Sequence, residues 1–206
     1  MGDWEIDQRQ SAIPNKLVQS LFLVHILIKL KTKIMKKYLR YLLTPALLLP
    51  FAACSQAQIL NVGAKVPEFK LPDQNGKMFD INSVLGKKKL VIYFYPKDES
   101  PGCTKEACTF RDDYSVFNES DAMIIGISEQ SVQSHKEFAD KYKLPFTLLS
   151  DKDNAVRKMF GVKTSPIPGR VTFVVDKNGH VVYNFDSLVQ PEKHVAEAMR
   201  ILKTMS

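Results

Sequence analysis

The chain has few of the residues that build disulfide frameworks and metal centres. Its only cysteines are Cys54, Cys103 and Cys108. Three are too few for a disulfide-stapled framework or for a zinc site with four cysteine ligands. The four histidines are scattered, without metal-ligand spacing: His25, His135, His180 and His194. We therefore expect no metal and no cofactor, and we interpret each histidine as a surface or structural residue.

Most of the chain also lacks an excess of basic charge, although the net charge is +7. Residues 1–53 carry 8 Lys/Arg and 3 Asp/Glu, a balance of +5. The remaining 21 basic and 19 acidic residues give only +2. No basic stripe with interleaved aromatic residues is visible, so we expect no nucleic-acid partner.

The N-terminal region has the layout of a targeting segment. From Met35, a basic stretch with Lys36, Lys37 and Arg40 is followed by apolar residues 42–51 and two alanines before Cys54. This order is typical of a secretory signal peptide over 35–53. It resembles a bacterial lipoprotein signal, with Phe51 in place of the usual Leu, and implies lipidation of Cys54.

This resemblance predicts an exported protein, either periplasmic or held at the membrane only through its N-terminal lipid. The alternatives are an incidental or buried Cys54 and a cytoplasmic protein. Residues 1–34 fit an upstream extension or a start assigned too far upstream, because their apolar stretch 17–28 is too short and too polar for a membrane span. We take 54–65 as a linker and 66–206 as the folded domain.

Hydrophobic patterns in the domain alternate between strands and helices. Strands are predicted at 66–71, 77–80, 89–95, 122–127, 146–149, 171–175 and 180–185. Helices are predicted at 103–117, 131–142, 154–160 and 192–203, with a helical turn at 82–85. The first two strands form a hairpin around Asn75-Gly76. The order predicts an α/β fold of thioredoxin-like type, with three α/β/α layers, a central mixed sheet and an N-terminal β-hairpin.

The chemically informative segment runs from Tyr95 to Asp112, after a buried strand and into a helix. Cys103 follows a Pro-Gly turn at the start of that helix, where free N–H groups and the helix dipole stabilise a thiolate. Ser100 and nearby backbone N–H groups can donate to a leaving oxygen. Pro96 and Pro101 stiffen the turn. A later strand of the same sheet can bring Arg170 to the thiolate.

The pattern Pro96-x-x-x-Ser100-x-x-Cys103 resembles the peroxiredoxin active-site motif. With Glu-Ala-Cys following, residues 60–206 resemble the bacterioferritin comigratory protein (PrxQ) subfamily, apart from Ser100 where Thr is usual. The resemblance implies a monomeric antioxidant peroxidase that reduces hydrogen peroxide and organic hydroperoxides. Cys103 then takes the peroxidatic role, Cys108 the resolving role, and Arg170 lies at the peroxide site.

The implied cycle passes from a Cys103 sulfenic acid to a Cys103–Cys108 disulfide, which a thioredoxin-like protein reduces. Positions five apart on an intact α-helix have Cα atoms roughly 8–9 Å apart. A disulfide needs less than about 7 Å. We therefore predict that the segment from Cys103 to about Phe110 unwinds on oxidation.

Two other functions remain open for the sequence: a thiol–disulfide oxidoreductase, which favours C-x-x-C rather than C-x4-C, and a non-catalytic thioredoxin-like binding or holdase domain.

Single residues have simpler interpretations too. Both domain cysteines could be buried structural thiols, Ser100 a helix cap, and Arg170 a surface ion-pair partner. Glu106 is interpreted as a first-turn acid or a partner of Arg111.

Overall fold

The computed structural model describes residues 23–31 and 58–205. Residues 23–31 form a short exposed helix, α1. In these two stretches no helix is both long and apolar enough to cross a bilayer. The predicted signal segment 35–53 and Cys54 lie outside the described residues, so the structure does not bear on them. The catalytic motif belongs to the unit that runs from Ser55 to Ser206.

Within residues 58–205, seven strands form one five-stranded mixed sheet and one separate hairpin. They are β1 (Lys70–Pro72), β2 (Met78–Asp80), β3 (Lys89–Phe94), β4 (Ala122–Ser128), β5 (Thr147–Ser150), β6 (Val171–Val175) and β7 (Val181–Asp186). The main sheet has the order β5-β4-β3-β6-β7. β3, β4 and β5 are parallel, whereas β6 and β7 run antiparallel to their neighbours. The predicted mixed sheet and N-terminal hairpin are confirmed.

In the same described stretch, five helices and one 3-10 turn accompany the sheet. They are α2 (Pro101–Asp112), α3 (Tyr114–Glu119), α4 (Val132–Tyr142), α5 (Ala155–Met159), α6 (Pro191–Thr204) and the turn Ile81–Ser83. The prediction of one helix over 103–117 is wrong, because the chain leaves helical geometry at Asp113 (φ −96°, ψ 11°). Phe110 and Phe117 nevertheless enter the same core, which is why the apolar spacing continues across the break.

The first hairpin strand is shorter than predicted. Val66 does not join the β1–β2 ladder, since its N–H donates to the carbonyl of Gly179. The predicted turn forms around Asp73, whose side chain accepts hydrogen bonds from the N–H groups of Asn75 and Lys77. The hairpin therefore occupies only residues 70–80.

Strand β3 separates the two halves of the core. Val91 and Tyr93 face a cluster with α2, α4 and α6, while Leu90, Ile92 and Phe94 face a second cluster that includes α5. All five are at most 1% exposed. Such burial on both faces is expected for a central strand of a three-layer fold and explains its continuous apolar sequence.

The pairing of β3 with β6 positions the chemistry. The two strands are antiparallel, and their register ends with Phe94 opposite Val171. The segment that leaves β3 toward Cys103 therefore starts beside the residue that precedes β6, which is Arg170. Sheet register alone brings these distant parts of the sequence to one edge.

Candidate active site

Cys103 lies in the first turn of α2 and is 1% exposed. Ser100 caps this helix, because its Oγ accepts a hydrogen bond from the Cys103 N–H at 3.4 Å. The Ser100 hydroxyl donates to the carbonyl of Lys97 at 3.2 Å. Pro101 occupies the start of the helix, where a missing N–H costs nothing. The interpretation of Ser100 as a helix cap thus describes its contacts here.

Arg170 reaches the thiol directly. Its Nη2 lies 3.3 Å from the Cys103 Sγ, and its Nε donates to the carbonyl of Leu188 at 3.3 Å. Its side chain is only 4% exposed, so the surface position that one interpretation gave Arg170 is wrong, whereas the pairing with an acid holds, since Arg170 pairs with Glu106. Burial on its own would lower the pKa of Arg170, but the adjacent Glu106 carboxyl and Cys103 thiol raise it. The guanidinium therefore stays charged beside the sulfur.

Glu106 is the residue that the sequence interpretation placed wrongly. It is fully buried and pairs with Nη1 of Arg170, whereas Arg111 binds Asp112 and the carbonyl of Tyr142. Burial raises the pKa of Glu106 to about 8, although Arg170 acts to lower it. Its Oε1 has no hydrogen-bond partner among the described residues. Glu106 thus orients the guanidinium that faces Cys103.

Gly102 makes this approach possible. A Cβ on Gly102 would lie 3.1 Å from Nη2 of Arg170, which is tighter than nine in ten real contacts of a Cβ. Any side chain here would push the guanidinium away or force it to rearrange. The Pro-Gly turn before Cys103 therefore leaves room for the cation as well as starting the helix.

His194 supports the same cluster in a neutral form. It is fully buried, so its interpretation as a structural residue holds and a surface position does not. Its Nε2 donates to the carbonyl of Ser187 at 2.8 Å, which leaves Nδ1 to accept from the hydroxyl of Thr172 at 2.9 Å. Burial lowers the pKa of His194 to about 4. Its Nδ1 lies 3.8 Å from Oε1 of Glu106.

A second buried polar cluster holds the loop that carries Pro96 and Ser100. Asp98 accepts hydrogen bonds from Tyr95 (2.8 Å) and Ser134 (2.6 Å) and contacts Nδ1 of His135 at 2.9 Å. Burial acts to raise the pKa of Asp98, but these hydrogen bonds and His135 lower it overall. The loop is thereby anchored to α4. Neither Asp98 nor His135 stood out as a site residue in the sequence.

The two domain cysteines are both free thiols on one continuous helix. Cys103 is buried, whereas Cys108 is partly exposed. They are five positions apart, a spacing that an intact helix holds beyond disulfide reach. Within the stretches that the structure describes, no group of three or more acidic, histidine or cysteine side chains is suited to holding a metal ion.

Comparison with known proteins identifies the family. The sequence model of the AhpC/TSA family matches residues 62–184. Peroxiredoxin Q from Arabidopsis thaliana, a chloroplastic protein, is 51% identical over 147 residues, which cover 70% of this chain and 68% of that protein. The chain belongs to the peroxiredoxin Q family. The chloroplastic peroxiredoxin Q of Oryza sativa subsp. japonica is 50% identical over 149 residues, 71% of this chain and 68% of the relative.

Solved peroxiredoxins share the fold. The peroxidoxin BcpB of Mycobacterium tuberculosis superposes with a TM-score of 0.69 at 34% identity, covering 71% of this chain and 99% of its own. Peroxiredoxin Q of Xanthomonas campestris gives 0.64 at 31% identity, covering 72% and 98%. The predicted thioredoxin-like peroxiredoxin fold is confirmed. As a peroxiredoxin, the protein is a thiol-dependent peroxidase, an oxidoreductase with an antioxidant function.

The prediction of an exported lipoprotein is wrong on the same comparison. The relatives that are about 50% identical over the aligned residues are chloroplastic enzymes of plants, not bacterial periplasmic lipoproteins. The cytoplasmic alternative is compatible with them. A basic run followed by an apolar run has the chemistry of a leader but does not specify the compartment. Lipidation of Cys54 stays a sequence prediction that these relatives do not support.

Proposed function

We propose that Cys103 is the peroxidatic thiol and that Cys108 resolves it, so that each turnover passes through an intramolecular disulfide. One observation carries the proposal: a buried guanidinium, that of Arg170, lies 3.3 Å from the Cys103 Sγ at a helix N-terminus. A fixed cation and a helix N-terminus at that place stabilise negative charge beside the sulfur.

The chemical step is a displacement on oxygen. The Cys103 thiolate attacks one oxygen of the peroxide, the S–O bond forms and the O–O bond breaks with its electron pair on the other oxygen. That oxygen takes a proton and leaves as water or an alcohol. Arg170 stabilises the charge that develops on it. The Ser100 hydroxyl can add a second hydrogen bond by rotating away from the carbonyl of Lys97.

Resolution joins two thiols that the folded helix keeps apart. The Cys108 thiol attacks the sulfenic sulfur, a disulfide forms and the oxygen leaves as water. Because five helical positions span roughly 8–9 Å, the first turns of α2 have to open. Opening breaks the contact of Arg170 with Glu106 and the exposed ion pair of Lys105 with Glu192, 2.9 Å long. A thioredoxin-like dithiol then restores both cysteines.

The peroxidase cycle is tested by peroxide consumption coupled to NADPH oxidation through a thioredoxin and its reductase. We expect Cys103→Ser to abolish turnover. Cys108→Ser should react once with peroxide and then stop for lack of a resolving thiol. Multiple turnover by Cys103→Ser would contradict the assignment of the peroxidatic thiol, and undiminished turnover by Cys108→Ser would contradict that of the resolving thiol.

Both cysteines of the proposed cycle belong to one chain, so catalysis needs no second subunit. We accordingly propose that the enzyme works as a monomer. Light scattering after size exclusion, run on the reduced and the oxidised protein, gives the mass directly. A stable dimer in both states would overturn the proposal.

A further inference from the structure

Arg157 is a buried cation that makes no contact with Cys103 yet lies between the two segments that build the site. It sits on α5 and is 0% exposed. Its Nη2 donates to the carbonyl of Tyr95 at 2.7 Å, and its Nη1 donates to the carbonyl of Gly169 at 2.8 Å. Its guanidinium carbon lies 5.5 Å from the centre of the Phe94 ring.

The two carbonyls are those that immediately precede the functional segments. Tyr95 is followed by the loop to Cys103, and Gly169 is followed by Arg170. The last β3–β6 pair is Phe94 opposite Val171, so Tyr95 lies one residue beyond the ladder and Gly169 lies two residues before it. Beyond that pair the two chains diverge, and sheet hydrogen bonds no longer hold them together. One guanidinium bridges the gap at this point.

Such a bridge is costly to build, which argues against an incidental role. In the stretches that the structure describes, no carboxylate lies within ion-pair distance of Arg157. Asp151 is the acid with the largest influence on it, and its carboxylate accepts from the backbone N–H groups of Val156 and Arg157. Burial lowers the pKa of Arg157, against the pull of Asp151. Burying an unpaired cation is unfavourable unless hydrogen bonds compensate for the lost hydration. For Arg157, the two backbone carbonyls supply these hydrogen bonds.

We propose that Arg157 is a positioning residue for the peroxidase reaction, fixing Arg170 against Cys103 by bridging the carbonyls of Tyr95 and Gly169. This inference rests on the proposed function of Cys103. The planar guanidinium holds two acceptors at a set separation, which the single ammonium of a lysine does not reproduce. Displacing a catalytic group by about 1 Å costs on the order of a hundredfold in rate.

The test uses Arg157→Lys, which keeps the charge and removes the rigid bridge. The measurement is the second-order rate constant of the reduced full-length protein with hydrogen peroxide, taken by stopped flow. Arg200→Lys is the matched control, because Arg200 is exposed and paired only with surface groups of α6 and β7. We expect the rate constant to fall at least about tenfold in Arg157→Lys and to be unchanged in Arg200→Lys.

A double-substitution cycle separates positioning from general stability. If Arg157 acts through Arg170, adding Arg157→Lys to Arg170→Gln lowers the rate little further, because the group being positioned is already gone. If Arg157→Lys lowers the rate constant in the Arg170→Gln protein by the same factor as in the wild type, its effect is structural and the proposal is overturned. An Arg157→Lys protein with the wild-type rate would overturn it as well.

The remaining outcomes are also decisive. Near-UV circular dichroism reports folding, and Arg157→Gln is the second variant should Arg157→Lys not fold. If neither variant folds, Arg157 supports the whole domain and the positioning role is overturned. A wild-type protein that fails to consume peroxide overturns the proposed function itself. If peroxide consumption by the wild type depends on Cys103 but Arg157→Lys reacts at the wild-type rate, only the inference on Arg157 is overturned.

Discussion

Oxidation of the cysteine pair should expose α2 to solvent, and the size of the effect follows from what the helix buries. Its inner face holds Cys103, Glu106, Ala107 and Phe110, each at most 1% exposed. Exposing a side chain such as Phe110 costs about 1.5–3 kcal/mol. A free-energy cost of about 1.4 kcal/mol corresponds to a factor of ten. In the reduced protein, roughly one molecule in 10 to one in 150 therefore has α2 open at any moment.

Hydrogen exchange of the backbone amides measures this directly. A Cys103–Cys108 disulfide holds the segment open, so amide protection over residues 103–110 should fall by about 10- to 150-fold on oxidation. Peptides from α4 (Val132–Tyr142) serve as an internal reference and should not change. Cys108→Ser treated with one equivalent of peroxide is the matched control, since it is oxidised at Cys103 without forming the disulfide. Equal amide protection over residues 103–110 in the reduced and oxidised wild type would show that α2 does not unwind on oxidation.

Three further predictions follow from single contacts. Gly102→Ala should fold as stably as the wild type but react with peroxide several times more slowly, because its Cβ displaces Arg170; equal rates by stopped flow would contradict this. Glu106, with a pKa of about 8 against an unfolded value near 4.5, binds its proton more tightly when folded, so urea unfolding should show wild-type stability falling as pH rises between those values. Glu106→Gln should lack that fall, and parallel curves would oppose the assignment. Asp98, whose pKa is lowered, should stabilise the fold at neutral pH and lose this contribution as pH falls below about 4. The difference in unfolding free energy between wild type and Asp98→Asn, measured by the same urea unfolding, should therefore close below that pH. A difference that stays constant would count against the buried contact with His135.

The fold could be predicted from the sequence because its signals are local. Continuous apolar runs mark β3, β4 and β6, and these strands are buried on both faces as such runs require. The break between α2 and α3 was missed because Phe110 and Phe117 keep the helical spacing across it. An apolar period records which face is buried and carries little information on backbone continuity.

The candidate site was predictable in part. The motif indicates Cys103 as the reactive thiol. The position of Arg170 beside it follows from the antiparallel register of β3 and β6. Glu106 carried a signal that was overlooked: with Cys103, Ala107 and Phe110 it completes an i, i+3, i+4, i+7 stripe, so it had to face the core.

Other members of the site carried no comparable signal. Arg157 lies on a five-residue helix, too short for a clear period. Asp98 and His135 meet only through a contact 37 residues apart in sequence. Contacts of this kind depend on the tertiary fold, which local patterns do not encode.

Intact-protein mass spectrometry after one equivalent of peroxide tests directly whether Cys103 is the thiol that reacts with peroxide. We expect the wild type to lose two hydrogen atoms as a Cys103–Cys108 disulfide forms, which peptide mapping then locates. Cys108→Ser should gain one oxygen atom on Cys103, and Cys103→Ser should remain unchanged. Oxidation of Cys108 in the Cys103→Ser protein, at the rate seen in the wild type, would contradict it.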